Sequence, residues 1–222
     1  DLYLDYLQSK ECHLSEPLRR FPKNAVKESL KNYVRDNLVE ERENEGVLLY
    51  RVKEEKRPIL DYYKNNSIHF LVSLGVFAVL LKTSPKEEIL LRKIEEDYCF
   101  LQDLFQYEFT FSRRQSLQSH LDKLLGFLAK RGLIRSDQER IQILPGSEKE
   151  LLCFYFPLQN FFEGYYILWK NLDRMKQQRW ESENLIKFLL RRGEILYWKE
   201  EISRYEALSQ FTLQNAIRSF RD

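Results

Sequence analysis

Leu60-Asp61-Tyr62-Tyr63-Lys64-Asn65-Asn66-Ser67-Ile68-His69-Phe70-Leu71-Val72-Ser73-Leu74-Gly75-Val76-Phe77-Ala78-Val79-Leu80-Leu81 is the stretch that decides the fold of this chain. From Phe70 onward almost every side chain is apolar, whereas Tyr62, Lys64, Asn65, Asn66 and His69 crowd its start. At about 3.6 residues per turn, Tyr62, Asn66, His69 and Ser73 fall on one face of a helix. The rest of that cylinder is Phe70, Leu71, Val72, Leu74, Val76, Phe77, Val79, Leu80 and Leu81. A helix that is apolar nearly all round is a buried helix. The spacing therefore predicts one continuous buried helix over 60–81 with a polar stripe along it. Two readings of the stripe stay open. It is an internal hydrogen-bond network that fixes packing, because an unpartnered buried polar group costs about 1–3 kcal/mol. Otherwise it faces another domain or a ligand pocket, with Lys64 at the rim attracting an anion.

Composition agrees with the helical class. The 222 residues suit one large or two small domains. With 43% apolar residues the chain has enough for a packed core, which excludes a disordered segment. Only seven glycines and six prolines interrupt it, and the charged residues are mostly helix formers, so long helices with short connections are expected. The formal net charge of +2 gives no global pull toward nucleic acid. Cys12, Cys99 and Cys153 are widely spaced without a C-x-x-C pair, which argues against a disulfide framework or zinc site and for a reducing compartment. The longest uncharged stretch, Asn65 to Leu81, lies at the lower edge of bilayer-spanning length and opens with polar residues, so a core helix is the better reading. The chain opens at Asp1, its sole methionine is Met175, and it closes at Asp222 within an apparently unfinished helix. Both ends read as cuts in a longer protein.

Helix and turn signals divide the chain into three parts. Residues 1–58 form a connecting segment. There Asn24 is placed to cap a helix through Val26, Leu30, Tyr33, Val34 and Leu38; Glu40 to Glu45 is a polar turn ending at Gly46; and Val47 to Val52 is a short strand. Residues 59–146 hold the apolar helix and a first winged-helix-like unit. Ser84-Pro85-Lys86-Glu87 has capping-box form and should open a helix to about Tyr107; Ser112-Arg113-Arg114-Gln115 should open another through Arg131, with Gly132 beyond it. In the second helix Leu117, Leu121, Leu124, Leu125 and Leu128 make one stripe, followed by short β segments at 133–135 and 140–143. Residues 147–222 begin with a third box at Ser147-Glu148-Lys149-Glu150. A long aromatic helix follows over 151–172, bent at Pro157, with Trp169 and the Phe161, Phe162, Tyr165, Tyr166 cluster expected in the core. Phe211, Leu213, Ile217 and Phe220 mark a second winged-helix-like unit truncated before its wing. The expected fold is mostly α, in two lobes, with small β-hairpins.

Motifs for chemistry are missing. His13, His69 and His120 are far apart and lack metal-ligand spacing, and no Gly-rich phosphate loop, G-x-S-x-G or H-E-x-x-H occurs. A His-x4-Asp pair would set a carboxylate to orient an imidazole base, but five residues after the three histidines stand Leu18, Leu74 and Leu125. No catalytic residue, metal or cofactor is expected. Lys170, Arg174, Lys176 and Arg179, near Trp169 and Trp180, form a possible contact for an anionic membrane or other anion; the plainer reading is a solvated linker face. Arg113, Arg114, Lys123, Lys130, Arg131 and Arg135 on the winged-helix outline invite a nucleic-acid reading, which Asp122 on the exposed side weakens.

The block Asp61-Tyr62-Tyr63-Lys64-Asn65-Asn66-Ser67-Ile68-His69-Phe70 resembles the C-terminal region of the membrane-associated glycerol-3-phosphate acyltransferases, where a Tyr-Tyr-(Lys/Arg)-Asn-Asn-x-x-His block opens an apolar helix. The helix-turn-hairpin over 121–143 and Phe162-Glu163-Gly164-Tyr165-Tyr166 are similar to further stretches of that family. The likeness runs from about Val47 to Asp222. It implies a parent protein that transfers a fatty acyl group from acyl-CoA or acyl-carrier protein to glycerol 3-phosphate, in phospholipid synthesis. Related dihydroxyacetone-phosphate acyltransferases share enough of the architecture to leave the acceptor open. The family's His-x4-Asp motif is not in this chain. Only Tyr62, Tyr63, Lys64, Asn65, Asn66 and His69 carry over, as a signature for interdomain packing near the catalytic portion. The resemblance thus implies a non-catalytic accessory region that docks on an upstream acyltransferase domain, peripheral to a membrane on its cytoplasmic side. The rival is a winged-helix module for nucleic acid or a regulatory protein.

Overall fold

The apolar run folds as two helices, Arg57–Ile68 and Val72–Thr83, separated by a turn at His69, Phe70 and Leu71. This corrects the expectation of one continuous helix. In the computed structural model every residue is described except 1, 11, 85–87, 112–115, 138, 178, 179 and 222. The chain forms two units, Asp1–Phe70 and Leu71–Asp222, and is mostly helical with two small antiparallel sheets.

The first unit holds α1 (Leu2–Ser9), α2 (Glu16–Arg20), α3 (Pro22–Arg35), a hairpin of β1 (Val39–Asn44) and β2 (Val47–Val52), and α4 (Arg57–Ile68). Pro22 opens α3, as suits a residue without an N–H to lose, so Asn24 lies inside the helix and does not cap it. The charged run 40–44 is a strand paired residue for residue with β2, from Val39 opposite Val52 to Asn44 opposite Val47. Its turn is only Glu45-Gly46, both with positive φ (51° and 77°), the handedness that matches strand twist in a two-residue hairpin.

The second unit begins with α5 (Val72–Thr83), whose Leu74, Val76, Phe77 and Leu81 are fully buried. β3 (Glu88–Leu90) and α6 (Leu91–Leu104) follow, then α7 (Leu117–Lys130), β4 (Ile134–Ser136) and β5 (Arg140–Ile143). The sheet order is β3-β5-β4, so β3 joins the expected hairpin as a third strand. Residues 88–90 were expected inside a helix opened at Ser84. Pairing with β5 holds them extended instead, and the rest of that box, 85–87, lies outside the described residues. The box at 112–115 also lies outside them, and α7 is capped by Ser116, whose hydroxyl accepts the Ser119 N–H at 3.3 Å. The α7 stripe is buried at Leu121, Leu124, Leu125 and Leu128, and Gly132 closes the helix with φ 71°.

The remaining elements are α8 (Glu148–Tyr155), a 3₁₀ turn over Phe156–Leu158, α9 (Gln159–Trp169), α10 (Leu172–Lys176), α11 (Ser182–Trp198) and α12 (Gln210–Ser219). The bend expected at Pro157 is that 3₁₀ turn. Ser147 precedes α8 but makes no side-chain capping bond, a correction to the third box. An aromatic core joins Phe105 to Tyr165 (4.5 Å between centroids) and Phe162 (4.8 Å), and Phe109 to Phe161 (4.8 Å). Close helix packing depends on glycine. A Cβ on Gly75 would stand 2.8 Å from the Phe154 carbonyl oxygen, and one on Gly164 would stand 2.7 Å from a Thr212 methyl.

Candidate functional site

The signature block occupies α4 and the turn after it, and it faces outward. Tyr62 is 65% exposed and Tyr63 53%, and Asn65, Asn66 and His69 are exposed as well. None of these five side chains hydrogen-bonds a described residue. Their contacts are between rings: Tyr62 edge-on to Tyr63 (5.9 Å) and His69 beside Phe70 (4.1 Å). Lys64 is half-buried and pairs with Asp61 at 3.2 Å, one turn earlier. The four-residue stripe is not formed as one face of one helix. The internal network is not made, and Ser73, its fourth member, lies beyond the break and hydrogen-bonds Tyr98 instead. What α4 offers is an outward row of phenols, amides and an imidazole, all able to bond a partner.

Ser73 leads into a buried polar relay. Its hydroxyl engages the Tyr98 phenol, which lies 3.0 Å from His120 Nε2, so α5, α6 and α7 are tied by one chain of polar atoms. Burial pushes the Tyr98 phenol up to about 12, and the relay therefore carries a neutral tyrosine near neutral pH. A bond series of this kind satisfies Tyr98, which is fully buried, and it has no nucleophile activated by a base.

Phe162-Glu163-Gly164-Tyr165-Tyr166 proves to be a structural knot. The Glu163 carboxylate accepts the Ser203 N–H (3.1 Å), the Ser203 hydroxyl (3.0 Å), the Arg204 N–H (2.7 Å) and the Gln159 amide (2.7 Å). Gly164 admits Thr212 of α12, Tyr165 fills the aromatic core, and the Tyr166 hydroxyl reaches Glu201 at 3.4 Å. The segment after α11 is thereby fastened along α9.

The basic run is divided. Lys170 donates to the Tyr166 hydroxyl (3.2 Å) and to Glu201, which raises the ammonium above its usual range and holds the Glu201 carboxyl below its own. Arg174 and Lys176 are exposed on α10, and Arg179 lies outside the described residues. Trp169, expected in the core, is 59% exposed: it ends α9 and stacks on Tyr166 (5.8 Å). Trp198 ends α11 and is 80% exposed. Of the bases invoked for duplex contact, Arg113 and Arg114 lie outside the described residues, and Arg131 pairs with Glu150 at 2.6 Å. Among the described residues no cluster of three or more His, Cys, Asp or Glu is placed to hold a metal. Nor is any single helix there long and apolar enough to cross a bilayer.

The family model for the glycerol-3-phosphate acyltransferase C-terminal region matches residues 1–222. The chain belongs to that family. Among curated proteins it is similar to "Putative acyltransferase plsB1" of Mycobacterium bovis and of Mycobacterium tuberculosis, at 21% identity over 180 residues. That match covers 78% of this chain and 29% of each relative, so the chain spans less than a third of the length of the curated relatives it matches. For this glycerol-3-phosphate acyltransferase C-terminal region, sequence reasoning missed Glu163 as an anchor and Glu108 as a buried acid. Each is a lone carboxylate within an aromatic run, Phe161 to Tyr166 and Phe105 to Phe111, and that interruption was the available signal.

Proposed function

We propose that this chain is a non-catalytic accessory region of a glycerol-3-phosphate 1-O-acyltransferase. It docks on the portion of the parent protein that transfers the acyl group from acyl-CoA or acyl-carrier protein to glycerol 3-phosphate, and it holds that portion in its working arrangement. One observation carries the reading: a family match along the whole chain, in a sequence without a His-x4-Asp pair. The exposed surface of the first unit supports docking. α3 buries none of its residues fully, and Phe21, Val26, Val47, Leu48, Leu49, Tyr62 and Tyr63 are all exposed there. Apolar surface on this scale commonly marks an interaction site. In this reading the α4 row lies at the joint, where Asn65, Asn66 and His69 bond the partner.

The second unit would meet the membrane from its cytoplasmic side through Trp169, Lys170, Arg174 and Lys176. Indole rings favour the headgroup zone, and each well-placed base adds about 1 kcal/mol against anionic lipid. The test is complementation. Supplying this chain in trans to the remainder of its parent protein should restore acyl transfer to glycerol 3-phosphate. Absence of rescue at saturating amounts, with both pieces folded, would end the reading.

A further inference from the structure

The outer face of α12 and the start of α11 enclose a cleft of about 530 Å³, within the range of small-molecule sites. Its floor is Leu185, Ile186 and Ile217, and its walls carry Gln214, Arg218 and Arg221 against Glu183. Gln214 and Arg218 stand one turn apart on α12, and Arg221, in the turn just past the end of that helix, lines the same cleft. Arg218 is held in place: its guanidinium lies 4.0 Å from the centroid of the Tyr107 ring. A ring contact of this kind leaves guanidinium N–H donors for a ligand.

Neither arginine forms an ion pair with a described residue, although Glu183 shares the cleft. By contrast, Arg131 pairs with Glu150 and Lys170 with Glu201 elsewhere in this unit. Two guanidiniums without an ion-pair partner among the described residues, beside an apolar floor, match an oxyanion head with a hydrocarbon arm. A phosphate monoester has oxygens enough to accept bidentate bonds from both arginines at once, which the two oxygens of one carboxylate cannot do, and this distinction holds although Glu183 offsets one of the two positive charges. Glu183 and Gln214 remain to bond hydroxyls next to the phosphate.

We infer that this cleft is a binding site for a phosphate-headed amphiphile: a phosphate monoester carrying one hydrocarbon chain. The inference goes beyond the accessory-region reading and does not depend on it, because binding is measured without acyl transfer.

Calorimetric titration of the full chain with dodecyl phosphate, below its micelle concentration, tests this. One saturable site is expected, with inorganic phosphate about tenfold weaker or more because it cannot use the floor. Joint substitution of Arg218→Gln and Arg221→Gln should weaken dodecyl phosphate about tenfold or more, with a small fall in Tm from the lost Tyr107 contact. Arg221→Gln alone, which breaks no ion pair with a described residue, should also weaken it, and Arg92→Gln on α6 should not. Equal affinity for dodecyl maltoside would show that the arginines read nothing. Equal affinity for inorganic phosphate would remove the hydrocarbon arm from the ligand. Either result, unaltered binding in the arginine variants, or no saturable site overturns the inference.

Discussion

Replacing Glu108 by Gln should raise stability at alkaline pH and leave it nearly unchanged at acidic pH. Glu108 lies in the turn after α6, with Oε1 buried and without a hydrogen-bond partner among the described residues. Burial lifts its carboxyl from the usual 4.5 to about 7, only partly offset by a bond to Asn215. The nearby Tyr165 hydroxyl is likewise buried without a partner, and burial, then the Glu108 charge, pushes that phenol upward. The sign follows from proton binding. Below pH 4.5 both folded and unfolded chains carry the proton, and the acid costs nothing. Between 4.5 and about 7 the unfolded chain ionises while the folded one resists, so stability falls as pH rises. Above about 7 the loss is complete. At roughly 1.4 kcal/mol per unit, that window amounts to at most about 3 kcal/mol. Urea unfolding at constant ionic strength, from pH 5 to 8.5, measures it in both proteins. The variant should lie within about 1 kcal/mol of the original chain near pH 5 and exceed it by about 3 kcal/mol at pH 8. A stability difference that stays constant across this range would refute the assignment.

Three further outcomes are expected. Gly75→Ala should destabilise by about 1–3 kcal/mol despite alanine's better helix propensity, because the added methyl meets the Phe154 carbonyl oxygen and Leu158; a rise in Tm would contradict the packing described. Glu163→Gln should cost about 2–4 kcal/mol, since the amide that replaces the carboxylate has one oxygen to offer the Ser203 and Arg204 N–H groups; an unchanged urea midpoint would show that the knot is slack. In a Trp180→Phe variant the remaining indoles are Trp169 and Trp198, and brominated anionic vesicles should quench their fluorescence; emission indifferent to those vesicles would remove the membrane contact from the proposed function.

Much of the fold was legible where periodicity and punctuation agree. The leucine stripe of α7, Gly132 after it, the hairpin that follows and the break at Pro157 each depend on side chains close in sequence. What was illegible depends on distant partners. Glu88–Leu90 follows a helix-start signal yet is extended, because β5, some fifty residues later, supplies its hydrogen bonds. β1 carries three glutamates and an arginine, residues without strand preference, and is held by a register that β2 and the Glu45-Gly46 turn impose. The 60–81 run misled through its continuity, since neither glycine nor proline marks the turn at His69 to Leu71. The place of the candidate row on α4 was readable from its motif. Its exposure was not, because a polar stripe beside an apolar run looks the same whether it points inward or outward. Trp169 failed for the complementary reason: its hydrophobicity suggested the core, but it ends α9 at the surface.

The Glu163 knot sets an unusual clock for the backbone. The Ser203 and Arg204 amides belong to an irregular connection between α11 and α12, where protons commonly exchange with solvent soon after transfer to deuterated water. Clasped by a carboxylate anchored on α9, these two should retain their hydrogen nearly as long as amides inside the helices around them. This connection would therefore behave as part of the slowest-opening cooperative block, though its own regular structure is a single 3₁₀ turn, Tyr205–Ala207.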